Sequence, residues 1–326
     1  MNAVDHNNVV IFDDRGIPSI MCRFVRPKDT EEVPAVFKIG DKVADAIYIS
    51  KYPNIVIDGR AYSMPMADPT VNITFDEAVQ ACRCKGLGWH LMTAVEYEYL
   101  LNQSREKGTM PHGNTDWGKD YYHNEEQGKV SNLGRTYTGT GPVTWNHDHT
   151  PYGVSDLNGN VWEWLAGLRI KDGVIEFIPG NKAASPYCDL SKDSTEWQQA
   201  ETSKGPVRAN VECGEITITD AVAADDYEPN YDGVRIEELE VKLSEIPQVL
   251  KDLGIIPDKR AEEEGKTYVY FDATEGEYLP FRGSAFYNSS HSGPSALNLF
   301  DPRSGSIVCI GFRSAFYEVN GKLITE

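Results

Sequence analysis

The segment Tyr152-Gly-Val-Ser-Asp156-Leu-Asn-Gly159-Asn160-Val161-Trp162-Glu163-Trp164 concentrates side chains that could hold an ion. Asn158-Gly159 is a turn dipeptide, Asn160 can bridge turn backbone, and two Trp side chains bracket one acid. Asp156 and Glu163, with turn carbonyls, make an oxygen-rich pocket of the kind calcium selects. A tight turn pinned by aromatics, with no ion, satisfies the same spacing. His147-x-His149 is the single close histidine pair. Alternating His on a strand could both ligate a metal, but no third ligand is suggested, and ordinary surface histidines are the simpler reading. Cys82-x-Cys84 falls in a helical pattern, where residues two apart face different ways, so neither a metal pair nor a disulfide is expected. Cys22, Cys188, Cys213 and Cys309 show no zinc spacing and read as reduced structural thiols. Neither G-x-S-x-G nor a phosphate-cradling Gly loop occurs.

A second concentration of unusual chemistry lies near the C-terminus. From Gly283 to Tyr317 there is no Lys, Glu, Gln, Met or Trp, although these types make up 61 of the 326 residues. Every residue present there can be encoded by a codon ending in C or T. That is the palette left when the first two bases of Asn-type codons are randomised. A Ser/Gly-rich surface loop would show a weaker form of the same bias.

These segments need a scaffold, and the composition permits one. A chain of 326 residues, 40% apolar and 10% aromatic, can bury a real core as one large domain or two ordinary ones. A formal charge of -19 and a pI near 4.8 argue against nucleic acid or an anionic membrane as partner, because both call for a basic face. No run approaches 18 apolar residues, so no membrane insertion is expected, and MNAVDHNNVV lacks the basic start and apolar core of a signal peptide.

Asn8 to Phe12, Ile20 to Phe24, Ala46 to Ser50 and Tyr268 to Phe271 read as strands, and Asp58-Gly59 as the type I′ turn of a hairpin. Thr74-x-x-Glu77 and Thr93-x-x-Glu96 are capping boxes opening two amphipathic helices. Lys107 to Pro151 reads as a long loop, of the kind that is functional or held by ions and aromatics. Residues 200–265 read as an acidic insertion with helix over Ile236 to Leu253, split at Pro247. Residues 1–45 read as an N-terminal β segment that could belong to the main domain, which runs over 46–326.

Four stretches carry a family resemblance: Ile47 to Tyr52, Gly88 to Thr93, the GNVWEW turn at Gly159 to Trp164, and the ending Arg282-Gly283 … Ile310-Gly311-Phe312-Arg313. Together they resemble the formylglycine-generating-enzyme (sulfatase-modifying factor) branch of the C-type lectin fold. The resemblance implies an α+β architecture with short irregular strands, two packed helices and long loops. It also implies calcium at the turn, with Asp156 and Glu163 giving side-chain oxygens and Gly159 and Val161 giving carbonyls. Catalytic members carry a Cys pair shortly after the Arg-Gly motif that binds copper. Here that run is Phe286-Tyr-Asn-Ser-Ser-His291, without Cys, so the family's oxidation chemistry is not expected. A divergent metal-dependent oxidase or protein-modifying enzyme is the alternative.

The frame RGSAF … ALNL … PRS … IGFRSA also resembles the variable proteins of diversity-generating retroelements, in which adenines of a template are randomised during copying. The resemblance marks residues 282–316 as the variable region, with Tyr287, Asn288, Ser290, His291, Ser295, Phe300, Asp301, Gly305, Ile307, Val308 and Cys309 as its diversified, ligand-binding positions. Ile307 and Val308 also suit a core strand. It implies a non-catalytic protein that recognises a host or cell-surface ligand, protein or glycan, from a phage tail or a bacterial surface.

Overall fold

The computed structural model describes residues 6–212, 214–223 and 227–323. Three multi-stranded sheets form around two helices. The first joins His6–Phe12, Pro18–Val25, Ala46–Ser50 and Ser314–Val319 in order, so the N-terminal segment pairs into the main body. Both expected helices form where their caps predict. Helix α1 spans Phe75–Arg83 and α2 spans Ala94–Lys107, each opened by a Thr and Glu that satisfy each other's backbone N–H groups. The Asp58-Gly59 turn has both residues at positive φ, as a type I′ turn requires.

The second sheet runs Glu240–Lys242, Glu215–Thr219, Arg208–Glu212, Val174–Phe177, Leu168–Lys171 and Glu277–Tyr278. It corrects the expectation of a helical insertion at 200–265. The regular structure there is mostly strand, and among the described residues of the segment only Gln248–Asp252, after Pro247, is α-helical. Ile216 and Ile218 alternate with Glu215 and Thr217, a period of two that buries one face against the core.

The third sheet carries the C-terminal region. Its order is Tyr231–Arg235, Tyr268–Asp272, Leu297–Leu299, Phe281–Arg282, Trp162–Trp164 and Ile310–Phe312. One face (Val234, Val269, Phe271, Leu297, Leu299) packs with Tyr97, Leu100 and Leu101 of α2. The other (Trp162, Trp164, Phe281, Phe312) packs with Phe75 of α1. Leu297, Asn298 and Leu299 are all buried, and Asn298 uses its Oδ1 to accept from the Phe300 N–H.

Candidate ligand-binding face

The variable region crosses the third sheet three times, at Phe281–Arg282, Leu297–Leu299 and Ile310–Phe312. Two loops leave the sheet between those crossings. At the entry, Arg282 donates from Nη1 to Glu98 Oε2 at 2.9 Å, with both side chains 1% exposed. Arg105 also reaches Glu98 and pairs with Glu264 at 2.8 Å. Tyr97 donates its hydroxyl toward the carbonyls of Leu157 and Pro294, each at 2.8 Å. Gly283 has φ +92, and a Cβ there would lie 2.6 Å from the Leu157 carbonyl oxygen, so only glycine fits.

At the exit, Arg313 is held by Glu163 through two bonds, 2.6 Å from Nε and 2.5 Å from Nη2. Its remaining donors reach the Ser50 carbonyl at 2.9 Å and the Ser155 carbonyl at 3.0 Å. Both Glu163 oxygens are bonded to this guanidinium, which also reaches the Asp156 carbonyl at 3.4 Å. The Asp156 carboxyl is fully buried, accepts from the Gly139 N–H at 3.0 Å, and is pushed up to about 6, chiefly by burial. Of the expected set Asp156, Gly159, Val161 and Glu163, the two carboxylates are buried, and Arg313 places a positive charge beside both. Asn160 does bridge backbone as expected, bonding both the N–H and the carbonyl of Thr136.

Among the described residues, no group of three or more His, Cys, Asp or Glu side chains could hold a metal. His147 and His149 do not act together: His147 Nδ1 meets the Val154 N–H, whereas His149 Nε2 meets the Met110 carbonyl. His112 and His123 stack at 3.7 Å with planes 7° apart. Rings stacked in parallel point their lone pairs alongside one another, so they cannot converge on one ion. The buried thiols move away from reactivity: burial pushes Cys22 up to about 12 and Cys188 up to about 11.

Between the anchors the side chains turn outward. Tyr287 is 40% exposed, Phe300 37%, and Ile307 and Val308 each 44%. Ser290 and His291 are exposed, while Asn288, Asp301 and Gly305 are half-buried. Two expected positions do not share this face. Ser295 is buried and donates its hydroxyl to Glu264 inside the Arg282 network. Cys309 is buried, with Sγ 3.1 Å from the Tyr287 hydroxyl. Both stand one or two residues before a sheet crossing, where the chain has already turned inward.

The face also recruits residues from other segments. Trp117 packs edge-on against Phe286 at 5.1 Å and lies 6.4 Å from Tyr287. His291 stacks on Tyr268 at 3.9 Å, and Phe300 stacks on Tyr231 at 6.3 Å. Tyr122 donates its hydroxyl to the Ser290 carbonyl at 3.2 Å. Only the density of aromatics in the Lys107–Pro151 loop hinted at such a role.

Residues 51–207 match the family model described as the sulfatase-modifying factor enzyme 1-like domain. The formylglycine-generating enzyme of Mus musculus is 36% identical over 105 residues, which cover 30% of this chain and 27% of that protein. The chain thus spans about a quarter of the length of the curated relative it matches. Among solved structures, PvdO from Pseudomonas aeruginosa superposes with TM-score 0.40 at 12% identity, over 95% of this chain and 98% of that one. The I1 variant of Major Tropism Determinant superposes with TM-score 0.35 at 11% identity, over 97% and 56%. The architecture is α+β, with mixed sheets and few helices. The family match covers the turn of Gly159 to Trp164 and stops at residue 207, before the strands Arg208–Glu212 and Glu215–Thr219 and before residues 282–316.

Proposed function

We propose that this protein is a non-catalytic ligand-binding protein that displays a hypervariable C-terminal surface diversified by a retroelement. The observation that carries the reading is what one stretch contains. The run lacking Lys, Glu, Gln, Met and Trp extends from Tyr278 to Tyr317, and it holds both arginines of the buried Arg–Glu pairs and the loops between them. Within it, Tyr287, Ser290, His291, Phe300, Asp301, Ile307 and Val308 are exposed or half-buried. Side chains on that face can change at small cost to the fold, because the sheet crossings beneath them carry the packing. A phage tail or bacterial surface is the setting, and a host or cell-surface molecule the ligand. The locus sequenced in related isolates is expected to differ at these positions and almost nowhere else; differences spread evenly along the chain sink the proposal.

A second reading rests on the family match itself, since the curated relative is an enzyme. A divergent oxidase or protein-modifying enzyme requires tightly bound copper or iron and substrate-dependent oxygen consumption. Metal reconstitution followed by oxygen-electrode measurements with thiol peptides separates the two readings.

A further inference from the structure

The outer part of the third sheet presents one aromatic face. Antiparallel register places Tyr231 opposite Asp272, Gly233 opposite Tyr270 and Arg235 opposite Tyr268, so these pairs share a side. Gly233 leaves room for Tyr270, whose ring would be 2.3 Å from any Cβ at that position. Phe300 leans on both Tyr231 and Tyr270, each at 6.3 Å. Tyr287 closes the collar, with Trp117 beyond it. Asp301 follows Phe300 directly, half-buried at the edge of this collar, and its charge reaches Tyr287 and Cys309.

The Asp301 carboxylate has no compensation there. Among the described residues nothing pairs with it or donates a hydrogen bond to it, and burial alone pushes its carboxyl upward. The arginines of neighbouring segments are engaged elsewhere: Arg303 with Glu277 and Asp76, Arg235 with Glu237, and Arg135 with Asp68. A half-buried carboxylate left unpaired is costly, and aromatic faces carry negative charge density that attracts cations. Both features point to the same missing group. The net charge of -19 draws basic partners toward the surface from a distance.

We propose that the collar of Tyr231, Tyr270, Tyr287 and Phe300 around Asp301 receives an arginine side chain of a protein partner. Arginine fits better than lysine because a planar guanidinium can stack on a ring while forking onto a carboxylate. The inference rests on the display reading and deepens it. Tyr231 and Tyr270 lie outside the variable region and would serve every variant, whereas Asp301 sets the preference of this one.

The test uses the isotopically labelled full chain and three small probes: N-acetyl-L-arginine amide, the isosteric but uncharged N-acetyl-L-citrulline amide, and choline. The expected result is a saturable shift of the Tyr231 and Phe300 ring resonances with the arginine compound. Citrulline should bind about fivefold more weakly, the size of one exposed cation contact. Asp301→Asn should erase that preference and Tyr231→Ala should weaken binding of the arginine compound, each with amide dispersion unchanged. Equal binding of citrulline, absence of any saturable shift, or tighter binding of choline overturns the proposal. Failure here leaves the comparison of isolates untouched, since positions can vary without receiving a cation. Failure there leaves a cation site on a surface that does not vary.

Discussion

The two ends of the variable region and the loops between them follow opposite rules. At the ends, charged groups are fully buried and each guanidinium is paired with a carboxylate: Arg282 with Glu98, Arg313 with Glu163. In the loops, large apolar side chains stand in solvent, and among the described residues nothing pairs with the Asp301 carboxylate. A buried charge tolerates no change in its partner, because the remaining ion is then stranded in a low-dielectric interior. An exposed apolar side chain tolerates almost any change, because water already covers it. The contrast separates residues that fix the chain's path from residues that are free to be chosen for binding.

The largest effect should come from the ends. Arg313→Ala strands Glu163 and removes a donor from four backbone carbonyls, so it should cost about 3–5 kcal/mol of unfolding free energy by urea titration. Arg282→Ala should behave alike. A loss no larger than that of a loop variant would erase the distinction between the two regions. Ser295→Ala comes next, at about 1–3 kcal/mol, because Glu264 loses a buried donor. If Ser295 instead tolerates replacement as the loops do, it belongs to the face from which the structure excludes it.

A buried charge without a carboxylate partner sharpens the comparison from outside the region. Lys85, 1% exposed, donates to Ser19 Oγ at 2.8 Å and lies 3.2 Å from the Trp89 ring centroid. Burial pulls its ammonium down to about 7, although the ring face favours the charged form and limits the fall. In the unfolded chain Lys85 stays protonated until about pH 10.5. Between pH 7 and that value the unfolded state binds more protons, so stability should rise with pH, by at most about 1.4 kcal/mol per unit from this group. Lys85→Met should flatten that rise in melts recorded across the range. An unchanged slope would show that the ring keeps the ammonium charged.

Smaller effects belong to the loops. Tyr287→Ser, Ile307→Ser and Val308→Asn should each shift stability by no more than about 0.5 kcal/mol. A drop of several kcal/mol at Ile307 or Val308 would return them to the core. Smallest of all should be the effect of calcium. Chelation with EDTA, or added calcium, should leave the melting temperature unchanged, and a rise with calcium would mean that Arg313 gives way to an ion.

Local signals were readable in the sequence and distant ones were not. The capping boxes at Thr74 and Thr93, the Asp58-Gly59 turn and the strand Ala46–Ser50 depend on neighbours within four residues, and each forms as its residues predict. Arg282 and Arg313 stood out as frame residues, but Glu98 lies 184 residues from the first and Glu163 lies 150 from the second. No spacing rule connects them. The strands at 200–265 were hidden by their acidic composition, since Glu and Asp disfavour strands until a sheet partner buries the alternate face. At the Asp156–Glu163 turn the oxygen atoms were legible and the cation was not. The Arg313 guanidinium that bonds Glu163 comes from 150 residues away, which the residues of the turn cannot show. Tyr231, Tyr268 and Trp117 had no mark of their own, because an aromatic on a strand or loop reads as core until its exposure is seen.

The anchors Arg282, Gly283, Ser295 and Arg313 lie inside the segment that the proposed copying replaces, while Glu98, Glu163 and Glu264 lie outside it. A process that alters only adenines spares any codon that contains none. Arginine can be written CGC or AGA, serine TCC or AGC, and only the first of each pair survives such copying unchanged. The buried ion pairs therefore impose a choice among synonymous codons: these four positions should be adenine-free in the gene and its template, while those of Tyr287 and Asp301 should align with template adenines. The requirement that a guanidinium meet its carboxylate inside the sheet becomes legible in the third language of the molecule, its nucleotides.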